Sequence, residues 1–237
     1  MKILIIRPQP GNDASAARAR AAGFDPVQLP FFEVRARIWN APDPANFDAL
    51  LITSANAIRH AGPQLDALRQ LPVHAVGARS ADEARRSGLA VQSEGTSDAA
   101  HALQAAADAG HHRLLWLAGE DHQKLAPMPS MTIDQRIVYA SVPIEVDDAI
   151  ADAVRSSDVV ALHSARAADR FARFVAASGL DRRCIRLAAF SLAIAEAAGP
   201  GWRAVAVADR PDDQALLSAA TALDRVSPVT GRKGNMI

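Results

Sequence analysis

The 237-residue sequence is poor in the residues that mark several kinds of site. Its one cysteine, Cys184, excludes a disulfide framework and a zinc site built from several cysteines. Its seven histidines show no HExxH or other ligand spacing. Because 26 basic residues balance 26 acidic ones, no basic excess favours nucleic-acid binding. We therefore expect no metal, no nucleotide-type cofactor and no nucleic-acid partner.

The sequence also lacks long apolar runs. None approaches the roughly 20 apolar residues that span a bilayer, and the opening MKILIIRP is too short for a secretory signal. Together with the single cysteine, this predicts a cytoplasmic protein without a membrane partner.

Short runs of Ile, Leu and Val alternate with Ala-rich segments of helical spacing, a pattern typical of buried parallel strands with crossover helices. The sequence thus predicts an α/β fold, with Cys184 as a small buried side chain at the start of a strand. Two five-stranded sheets are expected, and a single eight-stranded barrel is the alternative. Ten strands are predicted, at 2–6, 26–30, 48–52, 73–76, 89–92, 113–117, 136–139, 158–162, 184–188 and 203–207.

An internal repeat favours two similar doubly wound domains over the barrel. The segment from FDALLITSANA to RRSGLAV resembles the later segment from SDVVALHSARA to AAGPGWRAV. Ser54 corresponds to Ser164 and Ser80 to Ser191, each serine leading a predicted helix. We expect a discontinuous first domain at 1–33 and 143–226, a second domain at 34–142, and a flexible tail at 227–237.

Residues that follow the predicted strands are the first candidates for a binding site, since ligands of parallel sheets bind where strands end and helices begin. Two interpretations of the hydroxyls stay open: they cap helices, or they belong to several helix N-termini that together bind a multiply anionic ligand. Neither GxGxxG nor GxxxxGK[ST] is present. The candidates are Arg7, Thr53, Ser54, Gly77, Ser80, Ser164 and Ser191.

Tyr139, the only tyrosine, lies in the connection RIVYASVP. It is either a packed strand residue with a solvated hydroxyl or a proton donor directed into a cleft.

Several motifs together resemble the uroporphyrinogen-III synthase family over nearly the whole chain. They are ILIIRP, AAGFDPVQLPFFEV, DALLITSANAI, HAVGARSADEARRSGL, EGTSDAAHAL, LLWLAGE and VYASVP, followed by the later echoes VVALHSARA and LAAFSLAIAEAAG. Ser80 and Ser191 stand where the family usually has Thr. In the stretch GEDHQKLAPMPSMTIDQR the family commonly has an Arg-containing helix, and Lys124 is the only local substitute for its basic contact.

The resemblance implies two flavodoxin-like domains joined by a two-stranded linker. It also implies a cofactor-free hydro-lyase that cyclises hydroxymethylbilane through an azafulvene and a spiro intermediate, with inversion of ring D. Tyr139 is then the candidate donor to the departing hydroxyl. A monomer with transient contact to the preceding pathway enzyme is expected, and a noncatalytic binding or regulatory protein is the alternative. The implied substrate-binding residues are Arg7, Pro8, Thr53, Ser54, Asn56, Gly77, Ser80, Ser164 and Ser191.

Overall fold

The computed structural model describes residues 1–96, 98–122, 124–126, 128–145 and 148–224. The tail predicted at 227–237 lies outside these ranges. The described strands are β1 Lys2–Ile5, β2 Asp25–Gln28, β3 Phe32–Ala36, β4 Ala49–Ile52, β5 Val73–Ala75, β6 Val91–Glu94, β7 Arg113–Gly119, β8 Thr132–Pro143, β9 Val159–Leu162, β10 Arg186–Ala189 and β11 Ala204–Val207. The α-helices are α1 Gly11–Ala21, α2 Ala55–His60, α3 Ala78–Arg86, α4 Ala99–Asp108, α5 Asp148–Ser156, α6 Ala165–Ala177, α7 Leu192–Ala198 and α8 Asp213–Asp224.

The chain forms two compact units, each built on its own sheet. One unit contains Met1–Glu33 and the chain from Pro143 onwards, and the other contains Val34–Val142. The first sheet has the order β11-β10-β9-β1-β2, and all its pairings are parallel. The second has the order β3-β8-β7-β4-β5-β6, and its pairings from β8 to β6 are parallel. The predicted α/β class with parallel sheets is confirmed.

Each sheet buries apolar side chains on both faces. In β1, Leu4 packs with α5, α6 and α7, while Ile3 and Ile5 pack on the other face with α1 and α8. In β4, Leu50 faces α2 and α3, and Leu51 faces α4. Burial on both faces explains why the strands are continuous apolar runs rather than alternating ones.

The two units share one spatial strand order, which is that of flavodoxin-like sheets. From one edge, the first sheet runs β2-β1-β9-β10-β11, and the second runs β8-β7-β4-β5-β6 with β3 added beyond β8. Strands β4 to β6 therefore correspond to β9 to β11. The pair equivalent to β1 and β2 comes last in the second unit, as β7 and β8. This permuted order explains why the internal repeat covers only part of each unit.

Three expectations from the sequence were wrong in detail. The second sheet has six strands rather than five, because β3 pairs with β8: the Arg37 amide bonds the Val138 carbonyl at 2.9 Å. Cys184 is exposed and ends a short 3-10 turn, so it is neither buried nor the first residue of a strand. Ser80 is the third residue of α3, which begins after Gly77, so it does not lead that helix.

No helix within the described ranges has both the length and the apolar character needed to cross a bilayer.

A histidine is buried in the second sheet, in the strand next to the edge strand β6. The ring of His74 in β5 is inaccessible to solvent, with Nδ1 at 2.7 Å from the Ser93 hydroxyl and Nε2 at 2.8 Å from Nδ1 of His111. Burial, with a smaller contribution from the charge of His111, lowers the pKa of His74 to about 4. The folded protein therefore favours the neutral ring.

We expect this histidine to destabilise the protein in mild acid. Below pH 6.5 the unfolded chain takes up a proton that folded His74 resists until about pH 4, so the stabilisation present above pH 6.5 is lost across that interval. One pH unit between the two pKa values corresponds to about 1.4 kcal/mol. Urea denaturation at several pH values should show wild type losing roughly 2 to 4 kcal/mol more than His74→Gln over this range. Parallel pH profiles would contradict the assignment.

Candidate functional site

A cavity of about 530 Å³ lies in the second unit, where β4 and β7 end and α4 begins. This volume is in the range of small-molecule sites, and the position is the carboxyl edge at which parallel sheets bind ligands. We call it the β-edge pocket. Its lining includes Thr53, Ser54, Val76, Asp98, Leu103, Trp116, Gly119, Asp121, His122, Lys124 and Tyr139.

Tyr139 reaches the pocket because its neighbour in the sheet has no side chain. It is paired with Gly119 at a register shift between β7 and β8. A Cβ atom on Gly119 would lie 2.5 Å from Cζ and 2.7 Å from the phenolic oxygen of Tyr139. Glycine is therefore required for this ring position. Among the described residues the phenol has no hydrogen-bond partner, and the ring of His60 lies 6.2 Å from the ring of Tyr139.

Thr53 and Ser54 place two hydroxyls beside the pocket. The Thr53 hydroxyl accepts a hydrogen bond from the indole N–H of Trp116 at 3.1 Å, which fixes both side chains. Ser54 is the N-cap of α2, and its hydroxyl accepts from the Asn56 amide at 3.2 Å. The capping interpretation therefore holds for the Ser54 hydroxyl. The backbone N–H groups of the first turn are the donors that a helix start leaves without intrahelical acceptors.

The charged groups of the pocket have mixed sign. Asp98 caps α4 by accepting from the Ala100 amide at 2.9 Å, and Asp121 lines the same wall. Lys124 is exposed and has no carboxylate within ion-pair distance in the described part of the chain. No arginine belongs to the described lining. The pocket thus offers one ammonium group, two carboxylates and backbone N–H groups.

Three other candidates of this unit lie outside the lining. Asn56 accepts a hydrogen bond from Arg59 at 3.3 Å, and Gly77 is the N-cap of α3. Ser80 is buried inside α3, with its amide bonded to the Gly77 carbonyl at 2.9 Å. Of the six candidates in this unit, the pocket brings together Thr53, Ser54 and Tyr139.

The remaining candidates belong to the first unit. Ser164 is the exposed N-cap of α6 and accepts from the Ala167 amide at 3.2 Å. Ser191 is the N-cap of α7, and its side chain makes no capping bond. The Pro8 carbonyl accepts from the Asn12 amide at 3.1 Å. These positions are helix starts or the loop after β1, as their sequence context predicts.

Arg7 takes part in a polar network at the start of α8. Its guanidinium donates to the Ser15 hydroxyl at 2.9 Å and lies 3.7 Å from the Asp213 carboxylate. Arg18 bonds Asp213 at 2.7 Å, and His163 Nε2 lies 3.2 Å from it. Burial by itself raises the pKa of Asp213. Hydrogen bonds from His163 and Ser15, together with the charge of Arg7, have the larger effect and hold the pKa of Asp213 well below the usual range.

Sequence reasoning missed most of this network and part of the pocket. Asp213, His163 and Ser15 come from distant segments, and no local pattern signals their meeting. Trp116 was available as a signal, since it is the only aromatic residue in the strand RLLWLAG. In the described residues, no group of three or more His, Cys, Asp or Glu side chains is arranged to hold a metal ion.

Comparisons with known proteins agree on one family. The family model "Uroporphyrinogen-III synthase HemD" matches residues 13–218. A search of curated proteins found no significant match. The crystal structure of uroporphyrinogen-III synthetase from Helicobacter pylori is 16% identical, with a TM-score of 0.63 over 94% of this chain and 99% of that one.

A mutant uroporphyrinogen III synthase from Thermus thermophilus is also 16% identical, with a TM-score of 0.50 over the same shares. At this identity the two structures show the shared fold, whereas the family match covers most of the sequence. The alternative of a noncatalytic protein is not favoured by these matches. The chain belongs to the uroporphyrinogen-III synthase family.

Proposed function

We propose that this protein is an active uroporphyrinogen-III synthase that converts hydroxymethylbilane into uroporphyrinogen III and water. In this reaction the terminal hydroxyl leaves to give an azafulvene, the substituted carbon of ring D attacks it to form a spiro intermediate, and fragmentation with reclosure inverts ring D. The proposed enzyme is a hydro-lyase that needs no cofactor and acts as a cytoplasmic monomer, with at most transient contact to the enzyme that supplies its substrate.

The observation that carries this proposal is the phenol of Tyr139, which lines the β-edge pocket without a hydrogen-bond partner in the described chain. The pyrrole nitrogen of the substrate expels the hydroxyl while the phenol donates its proton, so that water leaves. The phenolate recovers a proton that ring closure releases. A donor with no competing protein acceptor suits this role.

The charges of the pocket suit a ligand with both signs. Asp98 and Asp121 favour the positive charge that develops on the pyrrole system as the hydroxyl leaves. Lys124 is a partner for one substrate carboxylate. The amide of Ala55, which precedes the two amides already bonded to Ser54, is the proposed donor for another. In this proposal the carboxylates of the pocket stabilise the cation, and the ammonium and N–H groups bind the substrate carboxylates.

We keep the other predicted positions as proposed carboxylate sites that act mainly through backbone N–H groups. In the second unit these are Asn56, Gly77 and Ser80. The amides of Asn56 and Ser80 already bond the Ser54 hydroxyl and the Gly77 carbonyl, so a carboxylate must compete for them. In the first unit they are Ser164 and Ser191. Arg7 is proposed as a side-chain contact, and Pro8, which has no backbone N–H, as an apolar contact with the substrate. The engagement of Arg7 with Ser15 and Asp213 makes it the position at which substrate must compete with an existing ion pair.

The function is tested by turnover of fresh hydroxymethylbilane after treatment with a chelator. Purified protein should form uroporphyrinogen III faster than the spontaneous reaction gives the type I isomer, as measured by isomer analysis of the oxidised products. Type I product alone, at the spontaneous rate, would support the noncatalytic alternative.

Tyr139→Phe should slow turnover and leave the fold intact, because it removes only the hydroxyl. A positioned acid typically contributes about 10²- to 10⁴-fold, and this leaving group departs readily, so a loss of about 10²-fold or less is expected. Initial rates and isomer ratios measure the effect, with thermal unfolding as the control for stability. Unchanged kinetics would show that Tyr139 only packs in the strand. A change of product to the type I isomer would show that Tyr139 directs ring closure.

Gly119→Ala should impair catalysis through Tyr139, because the added Cβ occupies the space of the phenol ring. We expect a rate loss comparable to that of Tyr139→Phe. The double variant Gly119→Ala/Tyr139→Phe should then be little slower than Gly119→Ala alone. The phenol is already displaced in Gly119→Ala, so removing its hydroxyl has little further effect. Multiplicative losses in the double variant would show that Gly119 acts independently of Tyr139.

A further inference from the structure

A second cavity, of about 520 Å³, lies wholly within the first unit, on the side of α6. Arg166, Arg170 and Arg173 line it from α6, at spacings of four and three residues that place them on one helix face. Phe32, Pro143, Asp169, Phe174 and Ala177 complete the lining. Three guanidinium groups beside apolar side chains distinguish this cavity from the β-edge pocket, whose described lining contains no arginine.

Arg170 is held in place but is not satisfied. Its Nη2 donates to the Ile144 carbonyl at 2.5 Å, and its guanidinium carbon lies 5.5 Å from the centre of the Phe32 ring. Its Nε is buried and has no acceptor among the described residues. Within the same part of the chain, no carboxylate lies at ion-pair distance from it. A buried N–H without an acceptor costs about 1 to 3 kcal/mol, and more when the group is charged.

Two further arginines of α6 line the same cavity. Arg166 lies over the same Phe32 ring as Arg170, with its guanidinium carbon 4.6 Å from the ring centre. Arg173 pairs with Asp169 at 2.9 Å, so the one carboxylate among the described lining residues is already engaged. Arg170 therefore keeps one N–H donor, covered in this structure, that an anion entering the cavity would complete once the side chains over it move.

We propose that this cavity binds an organic carboxylate. The Nε–H and a second N–H of Arg170 form the planar fork that a carboxylate accepts in bidentate fashion. Phe174, Pro143 and Ala177 give the body of the ligand an apolar surface. A simple inorganic anion would bond the Arg170 donors and leave the apolar surface uncovered. A carboxylate on an apolar or aromatic frame would contact both kinds of lining group.

Two sources supply such a group: a free small carboxylate, or one of the carboxylate side chains of a tetrapyrrole. The second source rests on the proposed function, and the first does not. Both use the same Arg170 fork, so the test begins with a probe that has no part in tetrapyrrole turnover.

The probe is isophthalate, an aromatic dicarboxylate, titrated calorimetrically into the full-length protein. We expect saturable binding that Arg170→Gln weakens about tenfold or more, which matches the loss of a hydrogen bond to a charged group. Arg170→Lys should also weaken binding, because it keeps the charge and loses the fork. Arg155→Gln is the matched control: this arginine is exposed on α5 of the same unit, pairs with Asp152, and should bind isophthalate like wild type.

If Arg170→Gln does not fold, as judged by circular dichroism, Arg166→Gln provides the same comparison within the cavity. Absence of saturable binding to wild type, or equal affinity in the cavity variants and the control, would overturn the proposal. A competition experiment with uroporphyrin III then distinguishes the two sources. If uroporphyrin III displaces isophthalate and the displacement requires Arg170, the cavity binds a tetrapyrrole carboxylate. If uroporphyrin III leaves isophthalate binding unchanged, the cavity is a site for small carboxylates. Normal isophthalate binding in a protein without synthase turnover would refute the proposed function alone.

Discussion

Both units depend on one constraint: their parallel strands are apolar on two faces, and each face must be covered by helices. Leu50 and Leu51 of β4 illustrate it, since these adjacent residues pack on opposite sides of the sheet. Covering both faces requires crossover helices, and every crossover brings the end of a strand and the start of a helix to the same edge. Thr53 and Ser54 lie at that edge because β4 ends immediately before them. The position of the β-edge pocket is therefore a consequence of how the core is buried.

Steric space, rather than charge, determines where the phenol of the β-edge pocket lies. Tyr139 occupies the volume that a side chain at Gly119 would fill, and the register shift between β7 and β8 places the two residues opposite each other. Two other charged side chains differ in how well the hydrogen bonds of their buried atoms are satisfied. Asp213 is surrounded by Arg7, Ser15, Arg18 and His163, so its ionised form is stabilised internally. Arg170, in contrast, keeps a buried N–H without an acceptor in the described chain. This is the group to which we assign the proposed carboxylate.

The internal repeat has a structural explanation that strand counting alone does not provide. The repeated segment supplies β4 to β6 in one unit and β9 to β11 in the other, and each set needs two further strands. The first unit takes these strands from the chain before the repeat, and the second takes them from the chain after it. The same order of five strands thus arises from two chain orders, because a sheet is stabilised by which strands are neighbours and not by which is made first.

The sequence by itself determined the α/β class, the repeat, most strand positions and the resemblance to the family, because these follow from local apolar runs and from motif order. It also indicated Thr53 and Ser54, since residues that follow strands meet at one edge of a parallel sheet, and it indicated Tyr139 as the only tyrosine, in the connection RIVYASVP. Only the tertiary structure decided that β3 joins the second sheet, that Ser80 lies inside α3, that Cys184 is exposed, and that Gly119 makes room for the phenol. These depend on register, helix start and contacts between segments far apart in the chain. The meeting of Asp213 with Ser15 across 198 positions is such a contact, and no local pattern encodes it.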